Sequence, residues 1–295
     1  MAPKPRKRSN TKIDNSIFEA IDLMLAGHDT LIGHDFIMTR RDNSEIGHLD
    51  PSALRTYDQD FVSALINFKP LKKIKNPGNL DAMSEDYTKQ RELIGDYHLK
   101  IFEKAMDFDI QSAKELGNFD RRKVIIRNDP EMNVFFDYIS LYRKINKVRS
   151  AIHWNSENSH FITEENYSVV KAYEDAKFAL LRIDKNIDSV AMRTTNIITG
   201  AEYILMDRAL NRSKKEGHFF ICSTININNY IMTTGGGIPI SPNHAAGKST
   251  LSLFQKHLSK IRASDMKCDD SVVECVREIY GFCLRSGAMA HMTIG

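Results

Sequence analysis

Apolar residues recur every three to four positions along much of this chain, which is the spacing of amphipathic helices. Five such segments stand out, at residues 84–108, 131–154, 166–184, 249–263 and 269–286. Residues 189–211 carry apolar side chains nearly all round, the pattern of a buried central helix. Residues 218–227 are rich in β-branched and aromatic side chains and predict the one strand of the chain.

Residues that favour helix ends support a mainly α fold. Asp50-Pro51 and Asp129-Pro130 each place a capping residue before a proline at the first helical position. A polar stretch at residues 155–162 separates two groups of helices and predicts two helical lobes. The predicted organisation is a basic flexible arm at 1–12, an N-terminal helical lobe at 13–155, a C-terminal helical lobe at 156–232, a Gly/Pro linker at 233–247 and a C-terminal helical arm at 248–295.

Composition and charge narrow the class of protein. The 295 residues are 42% hydrophobic and 27% charged, which excludes a disordered chain. No apolar run approaches the roughly 18 residues of a membrane helix, and the N-terminus lacks the apolar stretch of a secretory signal, so we expect a cytosolic protein. The first twelve residues carry five basic side chains and no acid, whereas the whole chain has a net charge of +3. Any polyanion binding by the remainder, which sums to −2, must therefore depend on a local groove.

Gly247-Lys248-Ser249-Thr250 resembles the end of a nucleotide-binding loop. Such a loop needs a glycine five residues before its Gly-Lys pair, because successive backbone N–H groups must point at the phosphates. Pro242 occupies that position, and it has no N–H and a fixed φ. We therefore interpret the segment as a linker that leads into a capped helix.

Metal and catalytic sites find little support in the sequence. His28-Asp29 and His34-Asp35 are close together, but a metal site usually needs ligands from several elements. The four cysteines form no CxxC pair and are expected to be buried thiols. No nucleophile elbow, no metalloprotease motif and no dinucleotide fingerprint is present. The sequence therefore predicts a protein that is not an enzyme and that holds no metal or cofactor.

Basic residues cluster where the two predicted lobes meet. A first cluster, Lys69, Lys72, Lys73 and Lys75, surrounds a proline turn. The candidate groove for the RNA backbone consists of Arg121, Arg122, Lys123, Arg127, Arg143, Lys147, Arg182, Lys185 and Arg193. A single charge cluster is most often a solvated face, but several clusters together with a basic arm favour phosphate binding.

Two short motifs add a family resemblance. Residues 133–138, "NVFFDY", and residues 200–203, "GAEY", resemble two motifs of the nucleoproteins of segmented negative-strand RNA viruses, most nearly the emaravirus type. A third motif of that family, Asn-Arg-Leu-Ala, has its nearest counterpart at residues 186–193 but is not present as such. The resemblance implies a sequence-independent RNA cleft between helical lobes, with terminal arms exchanged between neighbouring protomers. The C-terminal helices would serve as such an arm or else pack on their own lobe.

The sequence thus predicts a nucleoprotein that encapsidates single-stranded RNA as a homo-oligomer, in the virion and the host cytoplasm, with the viral polymerase as a further partner and no membrane contact. A coat protein of a filamentous virus is one alternative. A helical interaction protein whose residues 1–12 form a nuclear-import signal is a second. An NTPase that uses Lys248 is a third.

Overall fold

The structure is a computed structural model that describes most of the chain beyond residue 58 and two short strands before it. The described residues are 30–33, 36–39, 59–75, 77–105, 109–120, 123–126, 128–144, 150–153, 162–164, 166–213, 216–264 and 270–286. The basic arm, the His-Asp pairs and the helix start predicted at Asp50-Pro51 lie outside these residues.

The first half of the described chain combines helices with a small mixed sheet. Its elements are β1 (Thr30–Gly33), β2 (Phe36–Thr39), α1 (Gln59–Ile66), α2 (Leu80–Ala105), α3 (Asp109–Leu116), β3 (Phe119–Asp120), β4 (Lys123–Ile125), α4 (Asp129–Asp137) and a π-helical turn (Tyr138–Tyr142). The four strands lie in the order β1-β2-β4-β3, with β2 and β4 parallel and the other neighbours antiparallel.

The second half is built around a closed five-stranded barrel. Its elements are α5 (Tyr167–Glu174), β5 (Lys177–Asn186), β6 (Ala191–Asn196), β7 (Glu202–Met206), α6 (Arg208–Ser213), β8 (Phe219–Ile227), β9 (Tyr230–Ile240), α7 (Ala245–Ala263) and α8 (Asp270–Arg285). The strand order is β5-β6-β7-β9-β8, and β8 pairs with β5 to close the barrel. Only the β7–β9 pair is parallel.

The prediction of a mainly α fold with two helical lobes is wrong. Of the described residues, 52% are helical and 26% lie in strands, so the chain is a mixed protein. The strand predicted at residues 218–227 is confirmed as β8, and the helices predicted at 84–108, 249–263 and 269–286 are confirmed within α2, α7 and α8.

Residues 189–211 form β6, β7 and the start of α6 instead of a central helix. Both faces of these strands are buried, because Met192 and Leu205 point into the barrel while Ala191 and Ile204 contact the main core outside it. Strands that are buried on both faces have no apolar–polar alternation, and their sequence cannot be told from that of a buried helix by periodicity alone. Gly200, with φ of +72°, lies in the turn that separates the two strands.

Two other predicted helices end early. The helix expected over 166–184 stops at Glu174, and β5 begins three residues later. The helix expected from Asp129 to residue 154 does begin there, with Asn128 as its cap, but it ends in the π-helical turn, and Arg143 has extended backbone.

The prediction of a flexible linker at residues 233–247 is wrong. This segment continues β9 as far as Ile240, and α7 already begins at Ala245. Its glycines allow close packing: a Cβ on Gly236 would lie 2.7 Å from the carbonyl oxygen of Asn133 in α4, and one on Gly237 would lie 2.2 Å from the ring of Phe220 inside the barrel.

The C-terminal helices α7 and α8 pack on their own chain. The ring of Phe254 in α7 stacks on Phe178 of β5 at a centroid distance of 6.0 Å, and Tyr280 in α8 lies 6.1 Å from the same ring. Val276 and Cys283 of α8 are fully buried in the same core. Of the two arrangements that the sequence left open, the structure therefore has the intrachain one.

The two ends of the barrel differ. At one end α6 inserts Leu210 into the apolar interior, where Leu181, Met192 and Phe220 also lie. At the other end, near the turns that join β6 to β7 and β8 to β9, the interior opens into a cavity bordered by α5.

Candidate nucleic-acid interface

A segment that we call the strap, residues 67–75, crosses the outside of β5, β6 and β7. The N–H groups of Leu71 and Lys72 donate to the carbonyl oxygen of Gly200, at 2.8 and 3.2 Å, and the N–H of Glu202 donates to the carbonyl oxygen of Lys72 at 2.9 Å. Lys72 thus forms an isolated parallel bridge with Ala201, at the start of β7. These backbone contacts fix the strap to the barrel wall.

Arg182 of β5 holds the start of the strap. Its Nη1 donates to the carbonyl oxygens of Leu65, Ile66 and Phe68, at 3.2, 3.1 and 2.6 Å, and its Nη2 forms an ion pair with Asp184 at 2.7 Å. The last carbonyls of a helix have no intrahelical partner, and a cation there also interacts favourably with the helix dipole. Arg182 therefore terminates α1 and positions the strap.

Arg193 and Glu202 hold the other end. Glu202, whose side chain is only 8% exposed, accepts hydrogen bonds from Arg193 Nη1 and from the N–H of Ile74, both at 3.0 Å. Arg193 also donates to the carbonyl oxygen of Ile74, at 3.3 Å. A largely buried carboxylate with an ion pair and a backbone donor is well satisfied, so this contact is structural.

The lysines of the strap face solvent. The side chains concerned are Lys69, Lys72, Lys73 and Lys75, and all four are exposed. None of them forms an ion pair with a residue that the structure describes. Lys185 of β5 is also exposed and lies in register with Arg193 on the outer face of the barrel. The surface over these three strands therefore carries five solvent-facing ammonium groups.

The order of the strands in the barrel relates this surface to a known type of binding face. If β5 to β9 are numbered 1 to 5, their order around the barrel is 1-2-3-5-4. A helix, α6, lies between the third and the fourth strand, as in OB-fold barrels. In that fold, oligonucleotides and oligosaccharides bind on the face of the second and third strands. Here β6 and β7 are those strands, and the strap covers their outer face.

The predicted RNA-binding residues fall into different parts of the structure. Arg121, Arg122, Arg127 and Lys147 lie outside the described residues, and Lys123 lies in β4. Arg143 directly follows the π-helical turn and forms an ion pair with Glu115 at 2.7 Å. Arg182, Lys185 and Arg193 are brought together on β5 and β6, but the two arginines are engaged in holding the strap. The two helical lobes between which the groove was expected are not formed by the described residues.

Sequence reasoning missed a buried carboxyl group. Asp137, at the end of α4, accepts hydrogen bonds from the hydroxyls of Thr234, Ser223 and Tyr280. Burial raises the pKa of Asp137 to about 7, against the lowering effect of those hydrogen bonds. The Ser223 hydroxyl is also hydrogen-bonded to Tyr142 in the π-helical turn, at 2.6 Å. The partners come from positions 80 to 150 residues away along the chain, so local patterns carry no signal for this cluster.

The Gly-Lys-Ser-Thr segment forms the first turns of α7. The N–H of Lys248 donates to the carbonyl oxygen of His244 at 2.9 Å, which is a helical bond. The Thr250 hydroxyl donates to the carbonyl oxygen of Ala246 at 2.8 Å, and the side chains of Ser249 and Thr250 are buried. Both side chains therefore belong to the packed interior of the fold.

Metal-ligand clusters and membrane-spanning helices are both absent from the described residues. No group of three or more potential metal ligands occurs in the part of the chain that the structure describes. Within the same residues, no helix has both the length and the apolar character needed to cross a membrane.

Comparison with known proteins identifies a family but no characterised relative. No curated protein and no solved structure matches the chain. One family model, described as "Family of unknown function (DUF7986)", matches residues 81–275. This range begins in α2, contains the whole barrel and α7, and ends within α8. The chain therefore belongs to the DUF7986 family.

Proposed function

We propose that this protein binds single-stranded RNA without base preference, through the lysines of the strap and Lys185. The observation that carries the proposal is the row of exposed lysines over β5, β6 and β7, at the location where barrels of this connectivity bind oligonucleotides. Proteins that bind single strands without sequence preference use a positively charged surface that follows the backbone.

The rigid attachment of the strap supports this function. Both of its ends are fixed by arginine contacts and its middle by backbone hydrogen bonds to the turn at Gly200. The lysines consequently project from a backbone that is already ordered, so binding does not need to order the segment. Pre-organisation of this kind reduces the entropic cost of association.

Encapsidation by a viral nucleoprotein, with self-association through the terminal arms, stays a prediction that depends on the two short motifs. Both motifs have structural explanations here. Val134 and Phe135 of the first are fully buried in the core, and Gly200 and Glu202 of the second form the turn and the ion pair that hold the strap. RNA binding by the strap does not require this family relationship.

The test is RNA affinity as a function of salt. We would measure fluorescence anisotropy of a labelled 20-nucleotide poly(U) strand against wild type and a variant with Lys69, Lys72, Lys73 and Lys75 changed to Gln. For single strands, log K falls with log salt with a slope of about −0.7 per neutralised phosphate. Loss of all four contacts should therefore reduce the magnitude of the slope by about 3, with at least a tenfold loss of affinity at low salt.

A matched control separates local contacts from net charge. Lys89, Lys114, Lys256 and Lys260 are exposed lysines on α2, α3 and α7, and their replacement by Gln removes the same charge. We expect this control to bind RNA nearly as tightly as wild type. Equal loss in both variants, or a wild type that binds no RNA at 50 mM salt, would refute the proposal.

A further inference from the structure

The open end of the barrel contains a cavity of about 590 Å³. This volume is within the range of about 300–1,000 Å³ found for small-molecule sites, and the mouths of β-barrels are a preferred location for them. One wall comes from α5 and the residue after it, through Ser168, Lys171, Ala172 and Asp175, and the other from the strands, through Lys177, Asn196, Tyr203, Thr224, Asn226 and Ile231.

Several polar side chains in this wall are not used by the protein itself. Among the described residues, the side chains of Ser168, Asp175, Tyr203 and Asn226 form no hydrogen bond. Tyr203 belongs to the interior face of β7, whereas its neighbour Glu202 points outward to the strap. The cavity therefore presents a flat phenol ring, an amide and a hydroxyl that are available to a ligand.

Two ammonium groups in the cavity wall are able to contact an anionic group. Two lysines, Lys171 and Lys177, line the cavity against one carboxylate, that of Asp175. Lys171 is also paired with Glu174, but its side chain is 49% exposed and keeps donors for a second partner. Lys177 lies at the first position of β5, beside Thr224 of β8, so cations flank the strand wall and the helix wall.

We propose that this cavity binds a nucleoside monophosphate. The flat base would stack on the ring of Tyr203, a contact that tolerates any base because each has a π face. The Asn226 amide offers one donor group and one acceptor to the edge of the base. The phosphate would lie between Lys171 and Lys177. This site faces the inside of the barrel and does not depend on RNA binding by the strap.

Isothermal titration calorimetry of the full chain tests this site, with 5′-UMP and 5′-AMP as probes and with uridine and inorganic phosphate as partial ligands. We expect both nucleotides to bind, and each partial ligand to bind at least tenfold more weakly. Absence of binding by both nucleotides at millimolar concentration would overturn the proposal. The strap variant with four lysines changed to Gln should bind UMP like wild type, so the two proposals fail or succeed separately.

Two substitutions locate the binding. Ser168→Trp places a large side chain in the exposed rim of the cavity, and Tyr203→Leu removes the stacking surface but keeps an apolar side chain. Each should weaken UMP binding at least tenfold. Ala209→Trp is the control, because Ala209 is exposed on α6, at the opposite end of the barrel. Unchanged affinity in the folded Ser168→Trp protein, or equal loss in the control, would place the ligand elsewhere.

Discussion

Asp137→Asn should remove a large part of the pH dependence of stability. The carboxyl group is buried, accepts hydrogen bonds from three hydroxyls, and forms no ion pair with any residue in the described part of the chain. Because burial favours its neutral form, the pKa of Asp137 is raised from 3.8 to about 7 in the folded protein.

The sign and size follow from linkage. Between pH 4 and 7 the unfolded chain has lost this proton while the folded protein still binds it, so the free energy of unfolding falls as pH rises. One pKa unit corresponds to about 1.4 kcal/mol, so the shift corresponds to roughly 4 kcal/mol over this range. That is a substantial part of the roughly 5–15 kcal/mol that stabilises a typical domain.

The assay is urea unfolding followed by circular dichroism at pH 5, 6, 7 and 8. Asparagine has nearly the same shape, and its amide donates to Ser223 without a charge, so the variant should lose much less stability than wild type between pH 5 and 8. Asp175→Asn serves as the control, since this carboxyl is exposed, and it should retain the wild-type slope. Equal slopes in wild type and Asp137→Asn would refute the reasoning.

Three further predictions concern the packing of the fold. Gly236→Ala should destabilise the protein by about 1–3 kcal/mol, because its Cβ would lie 2.7 Å from a backbone oxygen of α4. Gly78→Ala is the control, since a Cβ there meets nothing within 4 Å and stability should not fall. Comparable urea midpoints for the two variants would contradict the prediction. Gly95→Ala should stabilise α2 by about 1 kcal/mol, since this exposed helical position has open space, and a lower melting temperature would count against it. Arg182→Gln should free the strap, so that trypsin cleaves after Lys72, Lys73 and Lys75 at least several-fold faster than in wild type; identical cleavage rates would show that the arginine does not hold it.

Sequence patterns predicted the helices that have one buried face and a strand of strongly strand-favouring composition. Helix α8 alternates buried and exposed positions at helical spacing, and its period is visible in the sequence. Strand β8 was predicted from its β-branched and aromatic residues, since its first seven residues are all buried and show no alternation. Strands β6 and β7 have the same double burial but contain Ala, Met and Leu, which also suit a helix, and the prediction there was wrong.

The glycines within β9 were predicted as a linker for a different physical reason. Three consecutive glycines next to a proline are typical of a flexible linker. In the structure, α4 approaches Gly236 and the Phe220 ring approaches Gly237 so closely that neither position has room for a side chain. Glycine signals either freedom or close contact, and a single sequence does not distinguish the two.

The candidate interface was predictable only in part. The lysine cluster around Pro70 is visible in the sequence, and the structure adds that it lies over the barrel. Arg182 and Arg193 were predicted to contact phosphate because the sequence does not show that they are paired. Arg182 contacts a helix end more than 110 residues earlier, and Arg193 forms an ion pair with Glu202 on the neighbouring strand. A charge pattern reveals which side chains are basic, and only the fold reveals which of them are already paired.

Photo-cross-linking tests the central claim most directly. Single-stranded RNA that contains 4-thiouridine would be bound to the full chain, irradiated and digested, and the cross-linked peptides identified by mass spectrometry. We predict that cross-links concentrate in peptides from residues 67–75 and around Lys185. Cross-links confined to residues 121–127 and 143–147, with none over the strap, would contradict the account.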